Sequence, residues 1–389
     1  MSNENWLDNA GWLSLLKLRA SYGISGWDGN LSHELWRQSY AAGNSWFFGS
    51  NATSVAGGAE GSLPVTDLVP ERIEKMNIGL DFAAFGDRLS FSIDGFREKR
   101  SNVLVSGSNS TSGIIGIGVG QTCDGEYLYE GFDAGIRWKD KAGDFEYGAG
   151  ARASYLMTEI LNENQAYQEY DYLYHAGNRI GQCYGLEAQG FFNSQMEINN
   201  SPQQLFSTVR PGDVRYKDQN GDNVIDSKDV VKMFGSTLPR FYFGFDINLA
   251  YKGFEIQAEF QGMTGVTVSL LNSPLYNPLA INGNISKTYL DNEVPWTYEN
   301  RKEATMPRLT TEPNANNRQA GSLWYRDGSF IKLRNLTVSY TFPKAMIRFA
   351  DMKIFLQGMN IFSLDNIGFA DPEQLQAAYP SVRTWWAGV

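Results

Sequence analysis

The chain has 389 residues, with 33 Lys+Arg against 43 Asp+Glu and a formal charge of −10, which argues against the basic stripe that a nucleic-acid surface needs to displace counterions. Phe, Tyr and Trp make up 14% of the residues and charged residues only 20%, too aromatic and too uncharged for a disordered chain. No run of about 18 apolar residues occurs, which excludes a helical membrane span but not one built of strands.

Turn-forming Gly, Pro, Asn, Ser and Asp recur throughout, and what repeats between them has a period of two, the signature of strands. In chain order the predicted strands are Leu15–Tyr22, Met76–Phe85, Arg88–Glu98, Glu130–Lys139, Asp144–Met157, Phe241–Tyr251, Phe254–Gln261, Phe330–Thr341, Met352–Ile361 and a last one from Arg383. In the clearest case Phe254, Ile256, Ala258 and Phe260 alternate with Glu255, Gln257, Glu259 and Gln261, so one face is apolar and the other wet. Only Lys252-Gly253 separates it from its predecessor, a two-residue hairpin signal. At about 8–14 residues these strands exceed the usual globular length and suit a tilted membrane crossing.

The predicted connections alternate in length. Gly86-Asp87, Asp140 to Gly143, Lys252-Gly253 and Pro343 to Asp351 are short, whereas 23–75, 99–129, 158–240, 263–329 and 362–382 are long. Short turns at one rim and long loops at the other describe an outer-membrane barrel. A soluble sandwich also alternates, but its strands are shorter, and loops of roughly 50–80 residues at every other connection do not suit it. Trp138, Tyr155, Tyr251, Tyr340, Trp385 and Trp386 at strand ends are candidates for an interfacial aromatic girdle.

The segment 218–229 has the oxygen spacing of a calcium loop: Asp218, Asn220 and Asp222 at positions 1, 3 and 5, the Val224 carbonyl at 7, then Asp226 and Asp229 at 9 and 12. It departs from the EF-hand pattern in having Asn223 where the turn glycine belongs and the shorter Asp229 where a bidentate Glu belongs. The expectation is one structural calcium ion that stiffens a long loop, the alternative a solvated acidic turn. The glycine-rich run 113–120 lacks the Lys-Ser/Thr and the strand–helix frame of a phosphate loop. His33 and His175 fall in long loops with no serine elbow or ligand spacing around them, and no enzymatic site is expected. Cys123 and Cys183 have no CxxC or His partner nearby; they read as incidental, with a single long-range disulfide as the alternative.

Several blocks carry a family resemblance. Pro211-Gly212-Asp213 through Asp222, then Phe234-Gly235 and Pro239, form one. Ser329 to Pro343 form a second, and Gln357 to Ser363, Asp371-Pro372-Glu373 and Tyr379-Pro380 with Arg383 a third. Pro70-Glu71, Asn77 to Phe82 and Arg88 to Ser90 add mid-barrel strands. Together they resemble the C-terminal part of SusC/RagA-type TonB-dependent outer-membrane transporters.

The resemblance implies an all-β chain: an antiparallel transmembrane β-barrel portion with long extracellular loops, about ten strands of a 22-stranded barrel of the cell outer membrane. It implies uptake of oligosaccharides or peptides with a SusD-like lipoprotein lid, powered through the TonB complex. The family's signal peptide, carboxypeptidase-like domain, TonB box and plug have no match here, so residues 1–389 read as one barrel fragment. Asp246, Asn248, Glu255, Gln257, Glu259 and Gln261 would then face the lumen and the alternate residues outer-membrane lipid, while Trp27, Trp36, Trp46 and Tyr172 on the loops could stack on sugar rings. The other function class is a secreted, calcium-stabilised carbohydrate-binding or adhesion protein, soluble and closed.

Overall fold

The computed structural model describes residues 11–32, 34–107, 114, 116–118, 120–271, 273, 285–343, 352–375 and 381–389. His33, most of the turn 343–351, Tyr379-Pro380 and parts of the glycine-rich run lie outside the described residues. One ten-stranded sheet dominates: β1 Leu13–Trp27, β2 Glu71–Ala84, β3 Leu89–Ser106, β4 Gln121–Ala142, β5 Phe145–Asn162, β6 Phe241–Tyr251, β7 Phe254–Thr264, β8 Phe330–Thr341, β9 Lys353–Asp365 and β10 Thr384–Gly388. Each strand pairs antiparallel with its sequence neighbours and with no other strand of the sheet, an up-and-down meander.

All ten predicted strands are present. Where the structure differs is in length: β3, β4 and β5 run for 18, 22 and 18 residues, past the predicted ends and into what the alternation had assigned to long loops. The extensions carry charges on both faces, such as Lys99 opposite Leu128 and Arg100 opposite Tyr127. The ladder needs only backbone hydrogen bonds, so it continues where apolar alternation has stopped. In the same way Gly23 to Trp27 and Glu71 to Lys75 pair with each other as strand.

The short turns take the backbone their residues allow. Lys252 (φ 46°) and Gly253 (φ 90°) both lie in the left-handed region that a two-residue hairpin of this twist requires.

Register sorts the two faces. Leu16, Phe82, Phe91, Ile136, Ala151, Phe245, Phe260, Leu333 and Phe362 form one row across nine strands, every member apolar. The next row, on the opposite face, is Lys17, Asp81, Ser92, Gly135, Arg152, Gly244, Gln261, Lys332 and Ser363. Among the described residues no second sheet covers the apolar side, which leaves Leu18 60%, Ile78 61% and Leu356 50% exposed. A sandwich would bury that face; a membrane wall presents it to lipid.

Aromatic rings gather on this face near the short turns. Trp12 meets Phe82 and Phe85, Phe85 meets Trp138, Phe145 meets Tyr251, and Phe254 meets Tyr340, with centroids 4.5–6.4 Å apart. Tyr155 lies farther along the same face, stacked on Phe132. Trp385 and Trp386 do not share a face: Trp385 is opposite Gly358 and Trp386 opposite Gln357, so only the first sits on the apolar side.

Both clusters of buried apolar residues lie in the loops. Leu186, Val214, Tyr216 and Ile225 form one cluster; Leu270, Tyr289, Met306, Trp324, Ile367 and Leu375 form another. Described residues of the connections 163–240, 265–329 and 366–383 contribute, so these three loops pack together at one rim of the sheet. Among the described residues no helix is long and apolar enough to cross a membrane, which says nothing of strands.

Candidate functional site

The polar face brings the predicted lumen residues together. Asp246 accepts from Arg137 at 2.9 and 3.0 Å and from Asn248 at 3.0 Å. Glu255 accepts from Lys353 and Gln257, Glu259 from Asn335, and Gln261 from Arg334 at 2.8 Å. On β1–β3 the Arg19 guanidinium forks two ways, to Asp81 and to Asp94, with all four contacts at 2.8–2.9 Å. Bidentate pairs of this kind fix geometry as well as charge. Two glycines make the room: a Cβ on Gly79 would lie 2.3 Å from Asp94 Oδ1, and one on Gly150 2.6 Å from Asp246 Oδ1.

The loop body is knitted by buried polar groups. Asp213 is fully buried and accepts from Arg308 Nε (2.8 Å), the Arg210 amide (2.7 Å), Asn314 Nδ2 (2.9 Å) and Asn317 Nδ2 (3.0 Å), joining the loop 163–240 to the loop 265–329. Gly212 precedes it at φ 90°, where a Cβ would fall 2.4 Å from the Trp296 ring. This is the physical content of the Pro211-Gly212-Asp213 block. Asn316 and Gln204 complete the seam through the Val214 carbonyl, and burial pushes the Tyr216 phenol well above its ordinary range while its hydroxyl donates to the Asn316 carbonyl.

A second junction was not anticipated. Lys332 on β8 is 3% exposed, and its ammonium meets both Asp371 and Glu373 while lying over the Phe330 ring. Arg334 shares Glu373 at 2.6 Å. Two sequence blocks recognised separately, Ser329 to Pro343 and Asp371-Pro372-Glu373, are the two halves of one ion cluster. The signal available in sequence was Lys332 and Arg334 two residues apart on a strand, Phe330–Thr341, that holds no acid.

The segment 218–229 closes on itself through backbone amides. Asp218 accepts from Gly221 and Asn223, Asp222 from Val224, and buried Asp229 from Gln219 and Asp226; Asp226 accepts from Lys228 and caps the short turn 227–229. Val224 pairs with Gln203. Asn223 takes φ 64°, supplying the left-handed residue that position 6 of a calcium loop needs. The donors fit calcium in type, but among the described residues no three carboxylates, cysteines or histidines gather around one point. Tyr172 packs here, donating to the Lys228 carbonyl and stacked on Tyr170, whereas Trp36 and Trp46 are 65% and 67% exposed. His175 pairs with Glu163 at 2.6 Å, and both cysteines are free thiols.

No family model matches the chain. It is 24% identical to TonB-dependent receptor P3 of Formosa agariphila across all of its own length and 40% of the relative's, and 24% identical to TonB-dependent receptor P26 of the same organism over 96% and 38%. The fold overlays the structure of the RagAB peptide transporter with a TM-score of 0.70 at 19% identity, over 98% of this chain and 41% of that one. The RagAB peptide importer in its open-open state gives 0.71 at 20% identity. The SusC/RagA resemblance holds. The ten-stranded sheet has the fold of the corresponding part of the RagAB transporter structures, and the curated relatives that it matches are TonB-dependent receptors. The chain spans about two fifths of the receptors it matches.

Proposed function

We propose that this chain supplies part of the barrel wall of a TonB-dependent transporter that imports oligosaccharides or peptides through the outer membrane, working with a SusD-like lipoprotein lid and the TonB complex. The observation that carries the reading is the pair of rows across nine strands, one wholly apolar and the next polar or glycine, in a single layer of sheet. A wall with lipid on one side and water on the other has this form. The named relatives are receptors and transporters rather than enzymes.

The reading is tested on β6 of the full-length receptor. Ile247→Arg places a charge on the apolar face near the middle of the strand and is expected to cost about 2–4 kcal/mol of stability in bilayers. Asn248→Arg, one residue on and facing the lumen, is expected to cost under about 1 kcal/mol, as polar-surface changes do. Urea unfolding after refolding into vesicles measures both. Equal costs at the two positions would return the chain to the soluble β-protein class.

Calcium at 218–229 is proposed as an accessory that orders the loop body, with Asp218, Asn220, Asp222, the Val224 carbonyl, Asp226 and Asp229 as its ligands. Closure would require these oxygens to trade some amide partners for the ion. Saturating calcium is then expected to raise the thermal midpoint of the loop body, following RT ln(1 + [L]/Kd), and Asp222→Ala to abolish the rise. A midpoint indifferent to both calcium and chelator sinks the idea and leaves a self-capped acidic turn.

A further inference from the structure

We propose that Arg152, with Tyr242 beside it, is a contact of the inner wall for a carboxylate-bearing solute; the inference rests on the transporter reading above. Arg19, Arg100, Arg137 and Arg334 are each held by a carboxylate. Arg152 belongs to the polar row and is exposed, yet among the described residues it has neither an ion-pair nor a hydrogen-bond partner. Its row neighbours on the two adjoining strands are Gly135 and Gly244, so no side chain crowds it from either strand.

The acids diagonal to it are engaged: Asp246 by Arg137 and Asn248, Asp133 by the Ser154 hydroxyl. The guanidinium fork therefore faces the groove free of an internal partner. Tyr242, 43% exposed, Ser154 and Gln261 line the same groove. A planar fork of N–H donors matches a carboxylate in two parallel hydrogen bonds, and a neighbouring phenol ring offers an apolar plate with a polar tip. A uronic-acid sugar and the C-terminus of a peptide both present this carboxylate.

The test uses the full-length receptor in detergent and two matched pairs of probes: tetragalacturonate against its methyl ester, and pentaalanine with a free against an amidated C-terminus. Titration calorimetry gives the preference for the charged member of each pair. The wild type is expected to prefer the charged member in one pair, which names the source of the carboxylate. Arg152→Gln should lower that preference about tenfold, the loss of one charge-assisted contact, and leave the neutral member's affinity unchanged. Heat-modifiable gel mobility shows that the variant barrel is folded.

A wild type with no preference for the charged member in either pair overturns the proposal. So does a variant that keeps the full preference. An unchanged preference together with new sensitivity of cells to vancomycin would assign Arg152 to holding a plug carboxylate instead. The lipid-face test above involves no solute, so failure of the transporter reading is read separately.

Discussion

Asp213→Ala is expected to take apart the loop body while leaving the strand wall in place. The carboxylate is fully buried and accepts a guanidinium, two side-chain amides and a backbone N–H from two different loops. Its removal strands Arg308, whose side chain is only 19% exposed, and leaves Asn314, Asn317 and the Arg210 amide short of an acceptor. Breaking a buried ion pair by deleting one partner costs about 3–5 kcal/mol, and the orphaned amides add to it.

The wall shares none of these contacts, so the two losses separate. Limited trypsin digestion of the intact receptor should cut within 163–240 and 265–329 in the variant and not in the wild type, while heat-modifiable mobility persists. Asp213→Asn keeps the shape and drops the charge, and should fall between the two. Trypsin resistance equal to wild type in Asp213→Ala would show that the apolar clusters around Val214 and Trp324 hold the loops unaided.

The second large effect is expected at Lys332. Its ammonium is nearly inaccessible and is the partner of both Asp371 and Glu373. Lys332→Met fills similar volume but leaves Glu373 with Arg334 and Asp371 with only the Ser381 side chain and the Glu373 amide, at a cost of about 3 kcal/mol, the low end for a buried pair because both carboxylates keep some water. The segment 366–375 should then come away from β8, read as faster backbone hydrogen exchange there and at no other loop.

The same cluster sets a pH dependence. Burial by itself would raise the Asp371 and Glu373 carboxyls, but Lys332 with Ser381 outweighs it at Asp371, and Arg334 with Lys332 at Glu373, so both are held below the ordinary carboxylate range. A carboxyl depressed in the folded state gives stability that is fully present above its unfolded pKa and lost as pH falls through the folded value. The hold on 366–375 should therefore weaken as pH drops below about 4, the unperturbed range for these groups. In Lys332→Met this acid-induced change should shrink sharply. An identical acid response in wild type and variant would place the sensitivity elsewhere.

How much could be read beforehand follows the physics of each element. Strands whose two faces meet different solvents announce themselves, because alternate residues must differ; Phe254 to Gln261 could hardly be anything else. The strand extensions past Glu98 and before Glu130 are largely half-buried and mix charged, polar and apolar residues on both faces, so nothing in the alternation marks them even though the backbone ladder goes on. That Asp246, Asn248, Glu255, Gln257, Glu259 and Gln261 share a polar face was legible from parity alone; their place in a lumen came from the family resemblance. Their partners, Arg137 and Lys353 above all, were not, since pairing depends on register between strands about a hundred residues apart.

The sequence by itself determined an antiparallel, membrane-suited β wall, with its polar parity, its short-turn rim and its long-loop rim. Hydrophobic period and turn chemistry are local properties, and they suffice for these. Only the tertiary structure decided that both clusters of buried apolar residues lie in the long loops, that Gly212 and Asp213 fasten one loop to another, that Lys332 gathers Asp371 and Glu373, and that Arg152 is left without a partner among its described neighbours. Each of these depends on groups distant in sequence meeting at one point. Burial then decides what the meeting is worth, by removing the water that would otherwise take either partner's place.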